Sequence, residues 1–133
     1  MCMANNAVSG SSMAPADVCK TPPFGIPAPF PNMMNRSMSN PSTANTKVII
    51  VSGPAATTNT IVLLSSGDEA GVMGGVASSM IIGPCRNATG SACVIHAGMP
   101  ATTFIHPSMH NGMSPNTVGN GVAPSQTKVM IMR

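Results

Sequence analysis

The chain contains no tryptophan and no tyrosine, only three phenylalanines, and three acidic residues against six Lys and Arg in 133 positions. Without large rings, a thick apolar core is excluded, and apolar burial falls to Val, Ile, Ala and 13 Met. Side chains of that size suit thin layers. With 7% charged residues there is no basic stripe to track a phosphate backbone, which argues against nucleic-acid binding. The missing aromatics also leave any substrate pocket poorly lined. No run approaches the roughly 18 apolar residues of a membrane span, so stable membrane insertion is not expected. Residues 1–12 lack the basic start and apolar centre of a signal peptide, which points to synthesis in the cytoplasm.

Leu, Ile, Val and Phe number 25, just under the roughly 20% associated with disorder, but the net charge of +3 is far from the high charge that disorder also requires. The composition therefore indicates a folded, turn-dense chain. Its length fits one domain, read as a flexible N-terminal arm over residues 1–14 and a single domain over 15–133. Cys2, Cys19, Cys85 and Cys93 match neither a paired CxxC zinc site nor a dense disulfide framework. Buried free thiols are the plain reading, Cys93 included, and a Cys85–Cys93 bridge is left open.

The fold class expected is all-β. Between Pro15 and Pro41 seven prolines fix φ and remove donors, which predicts an extended, polyproline-like path and excludes a helix or a central strand. Thr46-Lys47-Val48-Ile49-Ile50-Val51 is a β-branched strand ending at Ser52-Gly53-Pro54-Ala55. Ser91–Gly112 follows the same plan: a short strand through Cys93 and Ile95, a Gly98-Met99-Pro100-Ala101 turn, a second strand, then a loop with His106 and His110. Placing Gly53 on Gly98 sets Val48 on Cys93 and Ile50 on Ile95. Thr127-Lys128-Val129-Met130-Ile131 repeats Thr46–Ile50 once more, so three related strands predict pseudo-threefold symmetry. The Gly-rich segment 66–78 reads as structural, with one short helical turn near 68–78. It lacks the Gly-Lys-Ser/Thr of a phosphate loop.

Several motifs in series carry a resemblance. Asp17-Val18-Cys19-Lys20-Thr21-Pro22, Pro29-Phe30-Pro31-Asn32, Ser66-Gly67-Asp68-Glu69-Ala70-Gly71, Gly74-Gly75-Val76, His110-Asn111 and Ala123-Pro124-Ser125-Gln126 are similar, in that order, to the PAAR-like domain family of type VI secretion spike tips. Pro100-Ala101-Thr102-Thr103 followed by His110-Asn111-Gly112 resembles that family's Pro-Ala-Ala-Arg and His-Gly-Gly, with the Arg absent and one Gly replaced by Asn. The likeness spans roughly residues 13 to 133 and marks a divergent member.

The resemblance implies a small conical fold whose flat base caps the trimeric VgrG spike, one tip per trimer, and whose apex is tied together by a metal. The partner face implied is Val48, Ile50, Cys93, Ile95, Val129 and Ile131. The family's tip site uses three His and one Cys, which implies one zinc ion held by His110, Cys19, His106 and His96. Such a tip leaves the cell with its spike and helps deliver effector proteins, and this chain reads as a bare tip without a toxin domain. The owner is a type VI system or a related contractile injection device. The resemblance and the sparse acids both point to a non-enzymatic protein. Two alternatives are a thiol hydrolase using Cys19 or Cys85 with His110 and Asp68, and an adhesin-like β module.

Overall fold

The computed structural model describes residues 1–132. The chain forms β1 (Cys2–Met3), β2 (Ser11–Thr21), β3 (Ile26–Asn35), a single 3-10 turn (Arg36–Met38), β4 (Asn45–Ile50), β5 (Gly53–Ala55), β6 (Ile61–Val62) and β7 (Ser65–Ser66). It continues with β8 (Cys85–Asn87), β9 (Ile95–His96), β10 (Met99–Pro100), β11 (Ser108–His110), β12 (Thr117–Ala123) and β13 (Met130–Ile131). The fold is all-β, as its composition led us to expect. Segment 68–78 is a series of turns, closed by Gly71 N to Asp68 O, Gly74 N to Gly71 O and, just beyond, Ser79 N to Gly75 O, each 2.9 Å.

Seven strands join in one sheet of order β6-β8-β11-β12-β2-β3-β7. Its two edge strands are separated in sequence by Leu63 and Leu64 alone, so the sheet curls into a nearly closed barrel. The long β2–β3 hairpin runs through it, and here the proline reading is corrected. The path is extended, as expected, but β3 is an interior strand that holds Pro27, Pro29 and Pro31. These prolines alternate, so their missing donors all fall on the edge away from β2. On that edge β7 pairs only with Met33 and Met34, beyond the prolines, so no ladder bond is lost.

The other three sheets are two-stranded: β4–β5, β9–β10 and β13–β1. They are the three repeats, and a ring of backbone hydrogen bonds joins them. Asn5 N donates to Thr102 O (2.9 Å), Thr102 N to Ala56 O (3.1 Å) and Ala56 N back to Asn5 O (3.0 Å). Bridges run in the same cyclic sense, Ala4 to Thr103, Thr57 to Ala101 and Asn6 to Ala55. Ala4, Ala55 and Ala101 are all buried beside the ring, where three backbones converge and larger side chains have no room.

Residues 1–14, expected as a flexible arm, are part of this ring and of β1 and β2, because the third repeat has no hairpin partner of its own and pairs with Cys2–Met3 instead. The repeat register is also corrected. Ile49 faces Pro54, Ile95 faces Pro100 and Met130 faces Met3, so Ile49, Ile95 and Met130 are equivalent, and Val94, not Cys93, matches Val48 and Val129. The one-residue slip swaps faces. Cys93 is exposed, and Ile50 is buried with Ala4 and Ala55 against Val48, Val129 and Ile131.

A second small cluster contains Met34, Val62 and Cys85. Among the described residues, ten buried apolar side chains stand against twenty buried polar or charged ones. Hydrogen bonding rather than apolar area therefore fills the interior. Asparagines do much of that work through Asx turns, as in Asn6 Oδ1 accepting from Val8 N and Ser9 N (3.2 Å each) and Asn45 Oδ1 from Lys47 N (3.1 Å).

Candidate metal centre

Asp17 and Cys19 are two residues apart on β2, so both side chains leave the same face of the strand. Eight residues of extended chain separate Cys19 from Ser11 at the ring end of β2, roughly 25 Å at about 3.3 Å per residue. Asp68 arrives from the turn after β7. Gly67, at φ +125°, permits that turn, since a Cβ there would lie 2.0 Å from Pro31 O. Gly71 lets the following loop close over Cys19, because its Cβ would lie 2.2 Å from the cysteine Cβ. Backbone bonds from Val76 N to Val18 O (3.0 Å) and Lys20 N to Gly74 O (2.9 Å) fasten the loop to β2.

The result is one group in which a carboxylate oxygen of Asp17, the sulfur of Cys19 and a carboxylate oxygen of Asp68 all lie within 4.8 Å of one another. All three residues are 0% exposed. Asn32 Nδ2 donates to Asp17 Oδ2 (2.5 Å), and Asn116 Nδ2 donates to Asp17 Oδ1 and to Val18 O (2.8 Å). Asn111 Nδ2 and Asn116 Nδ2 face the Cys19 sulfur at 3.7 and 4.0 Å. Ile82 N reaches both oxygens of Asp68 at 3.3 Å, with Ile82 held at φ +52°, a conformation a β-branched residue rarely adopts.

Burial first, then the charges of Asp17 and Asp68, push the Cys19 thiol up to about 12. Burial also raises Asp68 above the usual carboxylate range, against the Ile82 N–H, which favours its ionised form. No histidine belongs to this group. Carboxylates accept and do not donate, so the site holds a surplus of acceptors. The Oδ1 of Asn32, in a residue with 0% exposure, has no donor at all. Such a donor set, two hard oxygens and one soft sulfur, can hold a divalent metal ion.

Of the four ligands expected, only Cys19 belongs to the group. His110 ends β11 with its Nε2 2.9 Å from Ser108 Oγ and its Nδ1 buried without a partner. Burial lowers its pKa to about 4, opposed by Asp17 and reinforced by Arg36. His106 Nδ1 accepts from Thr103 N (3.0 Å) and faces Thr103 Oγ1 (2.9 Å). His96 stands on β9 and lines a cleft of about 270 Å³ with Asn45, Lys47 and Met99. Among the described residues no group of three metal-binding side chains includes a histidine.

Sequence reasoning missed Asp17 and Asp68 as ligands. The available signal was an Asp-x-Cys pair on a strand in a chain with three acids in all. All four cysteines are free, Cys19 and Cys85 buried, Cys2 partly so and Cys93 exposed, so the open Cys85–Cys93 pairing is absent. Cys85 Sγ rests on Gly83 O at 3.7 Å, with its pKa pushed up to about 11 by burial.

The model of the toxin PAAR-like domain matches residues 10–119, a span that contains Asp17, Cys19, Asp68 and His110. No curated protein and no solved structure matches the chain. The matched span runs from the start of β2 into β12 and covers most of the chain, and the all-β barrel with its threefold ring is the architecture its motifs implied: the protein belongs to the toxin PAAR-like domain family.

Proposed function

We propose that the protein is a non-enzymatic tip that seats on the trimeric VgrG spike of a type VI secretion or related contractile injection apparatus, one tip per trimer. The observation that carries this reading is the cyclic ring of Asn5, Ala56 and Thr102. A single chain meeting a partner with threefold symmetry needs three equivalent faces. The ring supplies them at one height along its axis. There Ile49, Ile95 and Met130 are 61%, 61% and 53% exposed, an apolar triplet that a trimer of matching spacing would cover. Of the residues expected at this face, Ile95 belongs to the triplet. Val48, Val129 and Ile131 support it from the cluster beneath.

A passive role is also supported by Cys19, whose buried thiol stays protonated near neutral pH and faces the carboxylates of Asp17 and Asp68, so it is unsuited to nucleophilic attack. The tip would be made in the cytoplasm, leave with the spike and help carry effectors. No helix among the described residues is long and apolar enough to cross a membrane. A structural ion, zinc by family resemblance, would stiffen the cone.

Co-purification with the spike trimer tests the proposal. The expected result is one chain per trimer, lost in the triple variant Ile49→Asp, Ile95→Asp, Met130→Asp and kept in Val118→Asp, an exposed apolar position on β12. Equal loss from both variants, or a stoichiometry of three tips per trimer, would refute it.

A further inference from the structure

The zinc set of three histidines and one cysteine does not fit this chain: among the described residues no histidine joins Cys19 in a group of three close ligand atoms, and the rings of His106 and His110 lie against Thr103 and Ser108. We infer that the ion site is instead carboxylate-rich: Asp17, Cys19 and Asp68 bind one divalent transition-metal ion, next to an Asn32 whose Nδ2 donates to Asp17 and whose Oδ1 has no partner.

Three observations carry this. First, acids are scarce, yet two of the three in the chain are fully buried next to each other and to a cysteine. Adjacent buried carboxylates disfavour each other's charge, and a cation between them reverses that. Second, Asn32 turns its amide nitrogen to Asp17 and leaves its oxygen without a donor in a residue closed to water. That orphan is an acceptor, as are the two carboxylates, which points to a cation rather than an anion. Third, N–H groups from Asn111, Asn116 and Ile82 reach the sulfur and the carboxylates from outside. Outer contacts of this kind orient ligands and settle their charge.

The sulfur sets the class of metal. Calcium and magnesium take oxygen ligands alone, whereas a thiolate with carboxylates suits zinc, cobalt or ferrous iron. Binding would displace the Cys19 proton to solvent and leave a metal thiolate. This deepens the tip reading and rests on it only for the ion's purpose.

The test uses the full chain, stripped with a chelator and titrated with Co²⁺. One cobalt per chain is expected, with a near-ultraviolet thiolate-to-cobalt charge-transfer band. Cys19→Ser should abolish the band, and Asp68→Asn and Asp17→Asn should each weaken binding at least tenfold. His96→Gln and His106→Gln should leave band and affinity unchanged, and excess Ca²⁺ should not compete. Circular dichroism identifies variants that fail to fold. If Cys19→Ser is among them, the decision passes to the wild-type band and to the two Asn variants. No band in the wild type, a band surviving in Cys19→Ser, or loss confined to the histidine variants would overturn the inference. A chain that binds cobalt but ignores the spike trimer defeats the tip reading alone, and one that seats without binding any ion defeats this inference alone.

Discussion

Acid should destabilise this protein chiefly through His110. Its ring is fully buried, and its pKa in the fold, about 4, lies below the roughly 6.5 of a solvated histidine. The unfolded chain therefore takes up the proton first as pH falls. Stability that is fully present above pH ~6.5 is lost progressively down to pH ~4, at about 1.36 kcal/mol per unit. Over that window the loss is about 3 kcal/mol, a large part of the roughly 5–15 kcal/mol that holds a typical domain together. Desolvation is the main cause. Arg36, itself buried and lowered to about 10, adds to it, while Asp17 works the other way. Asp68 contributes with the opposite sign, because a carboxyl raised in the fold gains stability as pH falls. The measurement must isolate the histidine. Urea unfolding of metal-free protein and of His110→Gln, at steps from pH 7.5 to 4, provides the difference. The wild type should lose about 3 kcal/mol relative to the variant across the series. Parallel pH curves for the two proteins would refute the reasoning.

Two further outcomes follow from the fold. Val51 is a half-exposed β-branched residue at φ +62° in the β4–β5 turn; Val51→Asn should relieve about 1 kcal/mol and raise the melting temperature by roughly 3–5 °C, and a lower melting temperature would show that the turn is unstrained. With iodoacetamide on native protein, exposed Cys93 should react first, whereas Cys19 and Cys85 should react only after unfolding, being buried and raised to about 12 and 11. Rapid native labelling of Cys19, read by peptide mapping, would contradict its closure under the Gly71 loop.

What was legible in the sequence was what local chemistry dictates. Thr46–Val51 reads as a strand because five of its six residues suit a pleated surface, whereas Gly53-Pro54-Ala55 and Met99-Pro100, read as turns, are the return strands β5 and β10, and the turns lie just before them at Val51-Ser52 and Ala97-Gly98. Register was less legible. Val-Ile-Ile and Cys-Val-Ile-His align almost equally well at two offsets, and only the pairing of Ile49 with Pro54 and Ile95 with Pro100 decides between them. The role of residues 1–14 was hidden because β1 pairs with β13, a contact across almost the whole chain that no local pattern records. The ion site was half legible. Cys19 stood out as a rare residue inside a recurring motif, but its partner Asp68 is brought to it by a turn 49 positions later. Histidine drew attention through its usual chemistry, whereas in this fold His106 and His110 form hydrogen bonds with Thr103 and Ser108.

The weakness of the internal repeat has a physical cause. At the ring the contacts are backbone to backbone, so they ask of each repeat only an N–H, a C=O and a side chain small enough for three chains to meet. Ala4, Ala55 and Ala101 satisfy the last demand, while the ring residues themselves, Asn5, Ala56 and Thr102, differ freely. Symmetry carried by the main chain leaves little trace in side chains, which is why three equivalent strands share scarcely more than a valine and a β-branched or Met neighbour. The same arrangement makes the two ends of the described chain depend on each other. Two repeats close with their own short turn, but the third exists only when Cys2–Met3 meets Met130–Ile131. A ring of three cannot stand on two members, so the face offered to a threefold partner forms only after the most distant parts of the chain have come together.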